Sequence, residues 1–454
     1  MSLSRLPLAG SFGLVLLLSA CSALPPDNDY PAHAEQDITQ VPDWSAVSGG
    51  EPATGLTELI GAPPLTELVD QALAANPSLQ QTLLALRIRQ AERDETGAER
   101  LPSVSAGLEA SRGEDRDATV YTGSATISWE LDLWHKLANG YRAAGKDVAE
   151  QRAIYQSSRD TLAAEVMQAW LEIIADRHAI AIEQHRLATL EKNERFILQR
   201  YRSGIGTLED LASARQSAAS SRASLAEYRE SLAEQQRSLR EMLGRSDKQA
   251  ISVPDDYPAV TLPLAALPEQ TLRRRPDLKA AYLAIQAEAL RTRVAYQELL
   301  PSFSVQAALE DAASSPRAAL LTDPVWSLLG QLTAPLYQGG ELRARARAAE
   351  LETARAYQAY RETLLSAVSD VENALGRERS LAERQRHIRE ALANARDNLD
   401  QYQRQYRAGL VGILDLLAVQ ETTYDLEARL DELTYQRLSN RIDLGLALGL
   451  GVNE

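Results

Sequence analysis

Between residues 136 and 201 apolar side chains return every seven residues. Val166, Ile173, Ile180, Leu187 and Tyr201 share one frame, and Leu190 and Ile197 form a second seam. The stretch 341–406 repeats the design, with Val371, Leu392, Leu399 and Tyr406 in one frame. Heptads sustained this long predict helices packed as in coiled coils, not a globular core. All nineteen prolines lie at or before Pro335, and none falls between Pro102 and Pro254, so both stretches are free of helix breakers. At about 1.5 Å per residue each long helix would run roughly 95–100 Å. Shorter helical segments, roughly 65–100 with 207–243 and 278–299 with 413–448, would stack in pairs alongside them.

Elsewhere the period drops to two. In 103–111 Val104, Ala106, Leu108 and Ala110 alternate with Ser103, Ser105, Glu109 and Ser111. In 121–133 Tyr121, Ala125, Ile127, Trp129, Leu131 and Leu133 alternate with Thr122, Ser124, Thr126, Ser128, Glu130 and Asp132. A second pair follows, with Phe303, Val305, Ala307 and Leu309, then Trp326, Leu328, Leu332, Ala334 and Leu336. These predict two β-hairpins, 101–134 and 300–337, with charged loops at 112–117 and 311–323.

The two halves of the chain align. Asn76-Pro77-Ser78-Leu79 answers Arg275-Pro276-Asp277-Leu278, and Leu101-Pro102-Ser103 answers Leu300-Pro301-Ser302, both at an offset of 199 residues. Tyr201-Arg202-Ser203-Gly204 answers Tyr406-Arg407-Ala408-Gly409 at 205, so the register slips by six within the hairpin. A length change confined to one short region, with helices in register on both sides, marks a loop in a duplicated unit. The first repeat would span 65–250 (helix, hairpin 101–134, long helix 136–203, helix 207–244). A linker, 245–276, precedes the second repeat, 277–454 (helix, hairpin 300–337, long helix 341–408, helix 412–449).

At the N-terminus Arg5 precedes an apolar stretch ending in Leu14-Val15-Leu16-Leu17-Leu18, then Ser19-Ala20-Cys21. Broken by Pro7 and Gly10, it is too short to span a bilayer but long enough for a cleaved signal, which needs about 7–15 apolar residues. Residues 1–20 read as a lipoprotein signal peptide, Cys21 as the lipid attachment site, and the proline-dotted 21–64 as an extended tether. No later segment approaches 18 consecutive apolar residues, so a membrane crossing would need strands in a closed barrel.

Composition narrows the function. With 48 Lys plus Arg against 63 Asp plus Glu the net charge is −15, which argues against nucleic acid as the partner. The dense basic run Arg273-Arg274-Arg275 reads as a solvated turn. One cysteine removes disulfides and cysteine-based metal sites. The five histidines lack metal-ligand spacing or a nucleophile partner, and His178 and His185, seven apart on a helix, read as surface residues. No catalytic residue, metal site or cofactor is expected beyond the covalent lipid on Cys21, and no enzyme activity.

Strands of about ten residues with a period of two fit a membrane barrel, one face to lipid and the other to water. Four strands cannot close a barrel, and in hydrocarbon an open edge strands backbone groups at several kcal/mol each. Copies of the chain must therefore pool strands. Two would give eight and a filled interior; three would give twelve and room for an aqueous lumen.

On these residues the chain resembles the TolC-like outer-membrane efflux channels, and among them the NodT-type lipoproteins. The carriers are the lipobox 18–21, the paired Leu-Pro-Ser at Leu101 and Leu300, Trp129-Glu130-Leu131-Asp132-Leu133-Trp134, and Leu272-Arg273-Arg274-Arg275-Pro276-Asp277-Leu278. Ala334-Pro335-Leu336 with Gly339-Gly340, and Tyr406-Arg407-Ala408-Gly409, complete the set. The resemblance implies a fold that is mainly α with membrane β: a homotrimer with a twelve-stranded outer-membrane β-barrel continued by a twelve-helix periplasmic α-barrel, and an equatorial region fed by the linker. It implies a passive exit duct for small molecules such as drugs. A periplasmic adaptor (membrane fusion) protein and an inner-membrane pump of RND type would be its partners, beside outer-membrane lipid. A coiled-coil envelope lipoprotein without transport is the alternative.

The turns at 203–207 and 408–412 would form the inner mouth, where the adaptor docks, through Gly204, Ile205, Gly206, Leu208, Gly409, Leu410, Val411, Gly412 and Ile413. Asp210 and Asp415, one turn inside, would become rings of three carboxylates forming the periplasmic gate, held closed by Tyr201, Arg202, Tyr406 or Arg407. Their other reading is as acids at helix N-termini, worth about 0.3–1 kcal/mol against the macrodipole.

Overall fold

The computed structural model describes residues 29–45, 49–112, 119–247, 249 and 251–452. The signal peptide, Cys21 and most of the first hairpin loop lie outside the described residues.

The first described element is a helix, α1 (Tyr30–Thr39), where the sequence reads as extended tether. Asp29 caps it by accepting from Ala32 N, 3.2 Å away. Tyr360 Oη donates to the Ala34 carbonyl (3.0 Å), Tyr357 Oη to Asp37 (2.9 Å) and Tyr282 Oη to Glu35 (2.7 Å). Further on, a 3-10 turn at Thr57–Leu59 and isolated bridges Glu51↔Pro263 and Ile60↔Val260 tie the segment to the linker. Prolines there do not make a free tether, because the apolar residues among them (Ala34, Ile38, Leu56, Leu59, Ile60) are buried.

The segment 65–100 is two helices, α2 (Pro63–Ala75) and α3 (Pro77–Ala98). Asn76 precedes Pro77, whose ring excludes helical backbone from the residue before it, and Asn76 is extended at ψ 122°. Its side chain makes use of the break, accepting from Leu79 N at 3.0 Å and donating to the Met242 carbonyl at 3.0 Å. The second repeat is broken in the same way. Arg275, at ψ 122°, precedes Pro276 between α6 (Pro268–Arg274) and α7 (Pro276–Gln297). Arg275 is not part of a solvated turn: its side chain is 11% exposed and donates to the Ala447 carbonyl and Asp370. Arg273 and Arg274 are exposed.

The remaining helices are α4 (Lys136–Arg202), α5 (Leu208–Met242), α8 (Glu341–Arg407) and α9 (Ile413–Ala447). The strands are β1 (Ser103–Ser111), β2 (Val120–Leu131), β3 (Ser302–Ala313) and β4 (Val325–Thr333).

The chain divides into two compact units, each drawn from both repeats. One combines Leu83–Ile154 and Asp277–Thr363 with α1 and holds all four strands. The other combines Val41–Thr82, Tyr155–Pro276 and Leu364–Glu454. In this second unit the main core gathers Val166, Met167, Trp170, Ile173 and Ile174 of α4 with Leu239 of α5 and Leu243 just after it, Val69 of α2 and Val260 of the linker. A smaller cluster of Leu190, Ile197, Leu211, Ala214, Ala218 and Leu417 joins α4, α5 and α9.

Candidate functional site

The four strands form one antiparallel sheet in the order β1-β2-β3-β4. Directly paired residues share a face, so the register tests the two-residue period across strands. Val104 pairs with Ile127, Ile127 with Ala307 and Ala307 with Leu328; Leu131 pairs with Phe303 and Phe303 with Leu332. On the opposite face Ser105 pairs with Thr126, Ser128 with Gln306, and Ser304 with Gln331. The sheet therefore has one apolar and one polar face. Trp129 Nε1 donates to the Arg100 carbonyl (3.1 Å) and Trp134 Nε1 to that of Pro301 (2.6 Å), so these indoles sit at the end from which α4 departs. Among the described residues β1 and β4 each have a strand neighbour on one side only, and every residue of both is exposed.

The two helical turns are built alike. Gly204 and Gly409 adopt left-handed backbone, φ 75° and 73°, as a helix-ending turn requires. Ile205 N then reaches back to the Arg200 carbonyl (3.1 Å) and Leu410 N to that of Gln405 (2.9 Å). Gly206 sits tightly, since a Cβ there would lie 3.0 Å from Tyr201 N and the backbone would have to give by a few tenths of an ångström. Ile205 is 66% exposed, Leu208 63% and Leu410 75%. Val411 and Ile413, named above among the docking residues, are half-buried: Ile413 packs on the Leu190–Leu417 cluster, which its place on the first turn of α9 brings within reach. Leu414, absent from that group, is exposed instead.

Both aspartates cap helices. Thr207 Oγ1 accepts from Asp210 N (3.0 Å) while Asp210 Oδ2 accepts from Thr207 N (3.3 Å), a reciprocal capping box. Asp415 Oδ2 accepts from Gly412 N at 3.0 Å. Among the described residues no ion pair joins either aspartate to Arg202 or Arg407, both of which are exposed. Tyr201 is exposed, whereas the Tyr406 ring packs edge-on against Phe196 (6.2 Å) with its Oη buried and without a hydrogen-bond partner among the described residues.

His178 is not a surface residue. Its Nδ1 lies 2.7 Å from Asp431 Oδ1 and its Nε2 2.6 Å from the Asp255 carbonyl, with Tyr257 Oη donating to Asp431 Oδ2 at 3.1 Å. A carbonyl only accepts, so Nε2 carries a hydrogen, and a second proton lies between Nδ1 and the carboxylate. Burial pushes the imidazolium down, but the hydrogen bonds to Asp431 and the Asp255 carbonyl and the charges of Asp431 and Asp256 outweigh it and hold it above its ordinary value. Burial pushes Asp431 up as well, so the pair retains a proton. Seven-residue spacing alone gave no sign of this cluster, because its partners come from the linker and α9.

The profile of the outer membrane efflux protein family matches residues 68–245 and 267–450. The pyoverdine export outer membrane protein OpmQ of Pseudomonas putida is 27% identical over 461 residues, spanning 96% of each chain. The outer membrane protein OprJ of Pseudomonas aeruginosa is 27% identical over 463 residues, 97% of this chain and 95% of its own. The solved structure of the outer-membrane channel OprN superposes with a TM-score of 0.84 at 22% identity, covering 94% of this chain and 99% of that one; the likeness is one of fold.

Proposed function

The chain belongs to the outer membrane efflux protein family, and from that membership we propose that it works as the passive duct of a three-part export machine, assembled from three copies of itself. It is the outer-membrane exit component of an efflux system in a Gram-negative bacterium, with the fold of the TolC-like channels, in a family of channel proteins. One observation carries the assembly: a four-stranded sheet with an apolar face, a polar face and two unpaired edges. Joining β4 of one copy to β1 of the next removes every edge. Three copies turn the serine-rich and threonine-rich faces onto water and the apolar faces onto lipid. Cys21 carries the lipid anchor.

The helical turns dock a periplasmic adaptor, which couples the duct to an inner-membrane pump of RND type. Ile205, Leu208 and Leu410 support this, since exposed apolar residues gathered on tight turns mark a protein contact. Asp210 and Asp415 become carboxylate rings at the gate. Each already gives Oδ2 to its own helix cap, which leaves Oδ1 to pair across the subunit boundary with Arg202, Arg407, Tyr201 or Tyr406.

Conductance of the full-length protein in planar bilayers tests the reading. Heat-resistant trimers with a steady aqueous conductance are expected; monomeric or non-conducting rods would overturn it in favour of a structural lipoprotein. For the gate, Asp415→Asn keeps a cap acceptor and removes the charge. It should raise resting conductance and vancomycin entry, and no change in either would reject Asp415 as a gate residue.

A further inference from the structure

On the two central strands a glycine and an aspartate break the apolar face of the sheet. Gly123 on β2 pairs with Asp311 on β3, in a file otherwise made of Ile127, Ala125 and Leu309 on the same two strands. The pair lies eight residues along β2 from the Leu131↔Phe303 pair at the end from which α4 departs. At about 3.4 Å per residue that is roughly 27 Å along the strand, or about 20 Å of height at a tilt of about 40°. An outward-facing apolar band stands about 25 Å tall, so a carboxylate and a bare backbone fall just inside its outer rim. Left open there, Asp311 would face hydrocarbon.

The loop between β3 and β4 covers both residues. A Cβ on Gly123 would lie 1.8 Å from the Ala319 carbonyl oxygen, so the loop backbone rests directly on the strand and only glycine fits beneath it. Asp311 Oδ2 accepts from Thr322 N (2.8 Å) and Asp323 N (3.1 Å), which ties the loop down from the far side. Between these points the chain makes a compact turn, Ala318 N and Ala319 N both reaching the Ser315 carbonyl at 3.2 Å, and Leu321 is held in left-handed backbone at φ 53°. A leucine accepts that conformation only where its surroundings enforce it. Ala319 is fully buried against the sheet and Leu320 is 63% exposed on the outside.

We propose that residues 318–321 form a lipid-contacting patch that completes the apolar band over Asp311, with Leu320 seated in the hydrocarbon next to the headgroups of the outer leaflet. The occupant follows from continuity: the turn lies on the same face as Leu309 and Leu328, which meet lipid in the channel reading on which this inference rests. The loop thus exchanges a carboxylate and a glycine for alanine and leucine at the height where the band ends.

The test uses full-length protein carrying Leu320→Cys, labelled with an environment-sensitive fluorophore and reconstituted in phosphatidylcholine–phosphatidylglycerol vesicles. The unsubstituted protein, taken through the same labelling, gives the background. Quenching by a nitroxide near the glycerol end of the acyl chains is compared with quenching by aqueous iodide. Leu328→Cys, mid-band, and Leu410→Cys, on a helical turn, are the references. The Leu320 label should be quenched several-fold more by the lipid nitroxide than by iodide, and adding Gly123→Val, which lifts the loop, should reverse the ratio. A Leu320 label that follows Leu410 while Leu328 is quenched by lipid overturns this inference alone. If Leu328 also follows Leu410, the barrel reading fails with it.

Discussion

Replacing His178 with glutamine removes the charge from the link between α4, α9 and the linker while keeping a side chain of similar reach. In the native protein the ring donates twice, to Asp431 and to the Asp255 carbonyl. Hydrogen bonds to charged groups contribute about 1.5–3 kcal/mol each, and glutamine's single amide nitrogen can serve only one of these acceptors well. The side chains of His178 and Asp431 are 24% and 19% exposed, and Tyr257 still donates to Asp431, so the loss falls at the lower end, about 2 kcal/mol. The sign follows from the raised value of His178. Its contribution is complete below the ordinary histidine range near 6.5 and is lost as pH rises through the higher folded value. Other groups facing the cluster act the same way or stay constant. Burial pushes Glu172 and Asp176 up, Tyr257 and Tyr435 remain protonated, and Arg177 donates to the Val253 carbonyl. Hydrogen exchange over residues 251–257 reads the link locally, and comparison at fixed pH cancels the intrinsic pH dependence of exchange. At pH 6, His178→Gln should lower protection there by about thirtyfold, the equivalent of about 2 kcal/mol. The gap should narrow as pH rises through the raised folded value of His178. Equal protection at pH 6, or a gap that widens with pH, would refute the assignment of a proton to this pair.

Two further outcomes are expected. Leu328→Arg places a charge on the lipid-facing side of β4 and should cost about 2–4 kcal/mol, lowering the yield of heat-resistant trimer on gels. Ser327→Arg, one residue earlier and on the polar face, should leave the trimer intact and shift ion selectivity toward anions; equal loss of trimer in both would contradict the assignment of faces. Leu410→Asp at the second helical turn should preserve the circular dichroism spectrum and conductance but abolish capture by the purified adaptor, and unaltered capture would remove this residue from the docking surface.

The fold class was legible because periodicity reports packing directly, and the places where it misled have physical causes. Val166 and Ile173 are buried, yet Ile180 and Leu187 in the same frame are half-buried and Tyr201 is exposed. A straight helix drifts about 20° per heptad, so five heptads carry one frame roughly 100° round the axis. The buried seam passes to Leu190 and Ile197, which sit 24 residues beyond Val166 and Ile173. A strict seven-residue count cannot follow that hand-over. The tether was misread for another reason: composition reports an average, whereas Ala34, Leu56 and Ile60 act as single anchors among prolines. His178 was misread because its partners, Asp255 and Asp431, lie 77 and 253 residues away.

The aspartates show where a single chain stops explaining itself. Thr207-x-x-Asp210 and Gly412-x-x-Asp415 have the spacing of an N-terminal cap, and the observed bonds satisfy that reading within one copy. A cap needs no gate. Two other features have no such local explanation: β1 and β4, each with a strand neighbour on one side only among the described residues, and the exposed Leu410. Each costs free energy in an isolated chain; in the proposed assembly copies of the sheet would cover the strand edges and another protein would cover the leucine. Local rules of capping and alternation can be read from consecutive residues. The assembly is written in what those rules leave unsatisfied, so a gate role for the capped Asp415, as proposed, would have to use its second oxygen, the one the helix does not use.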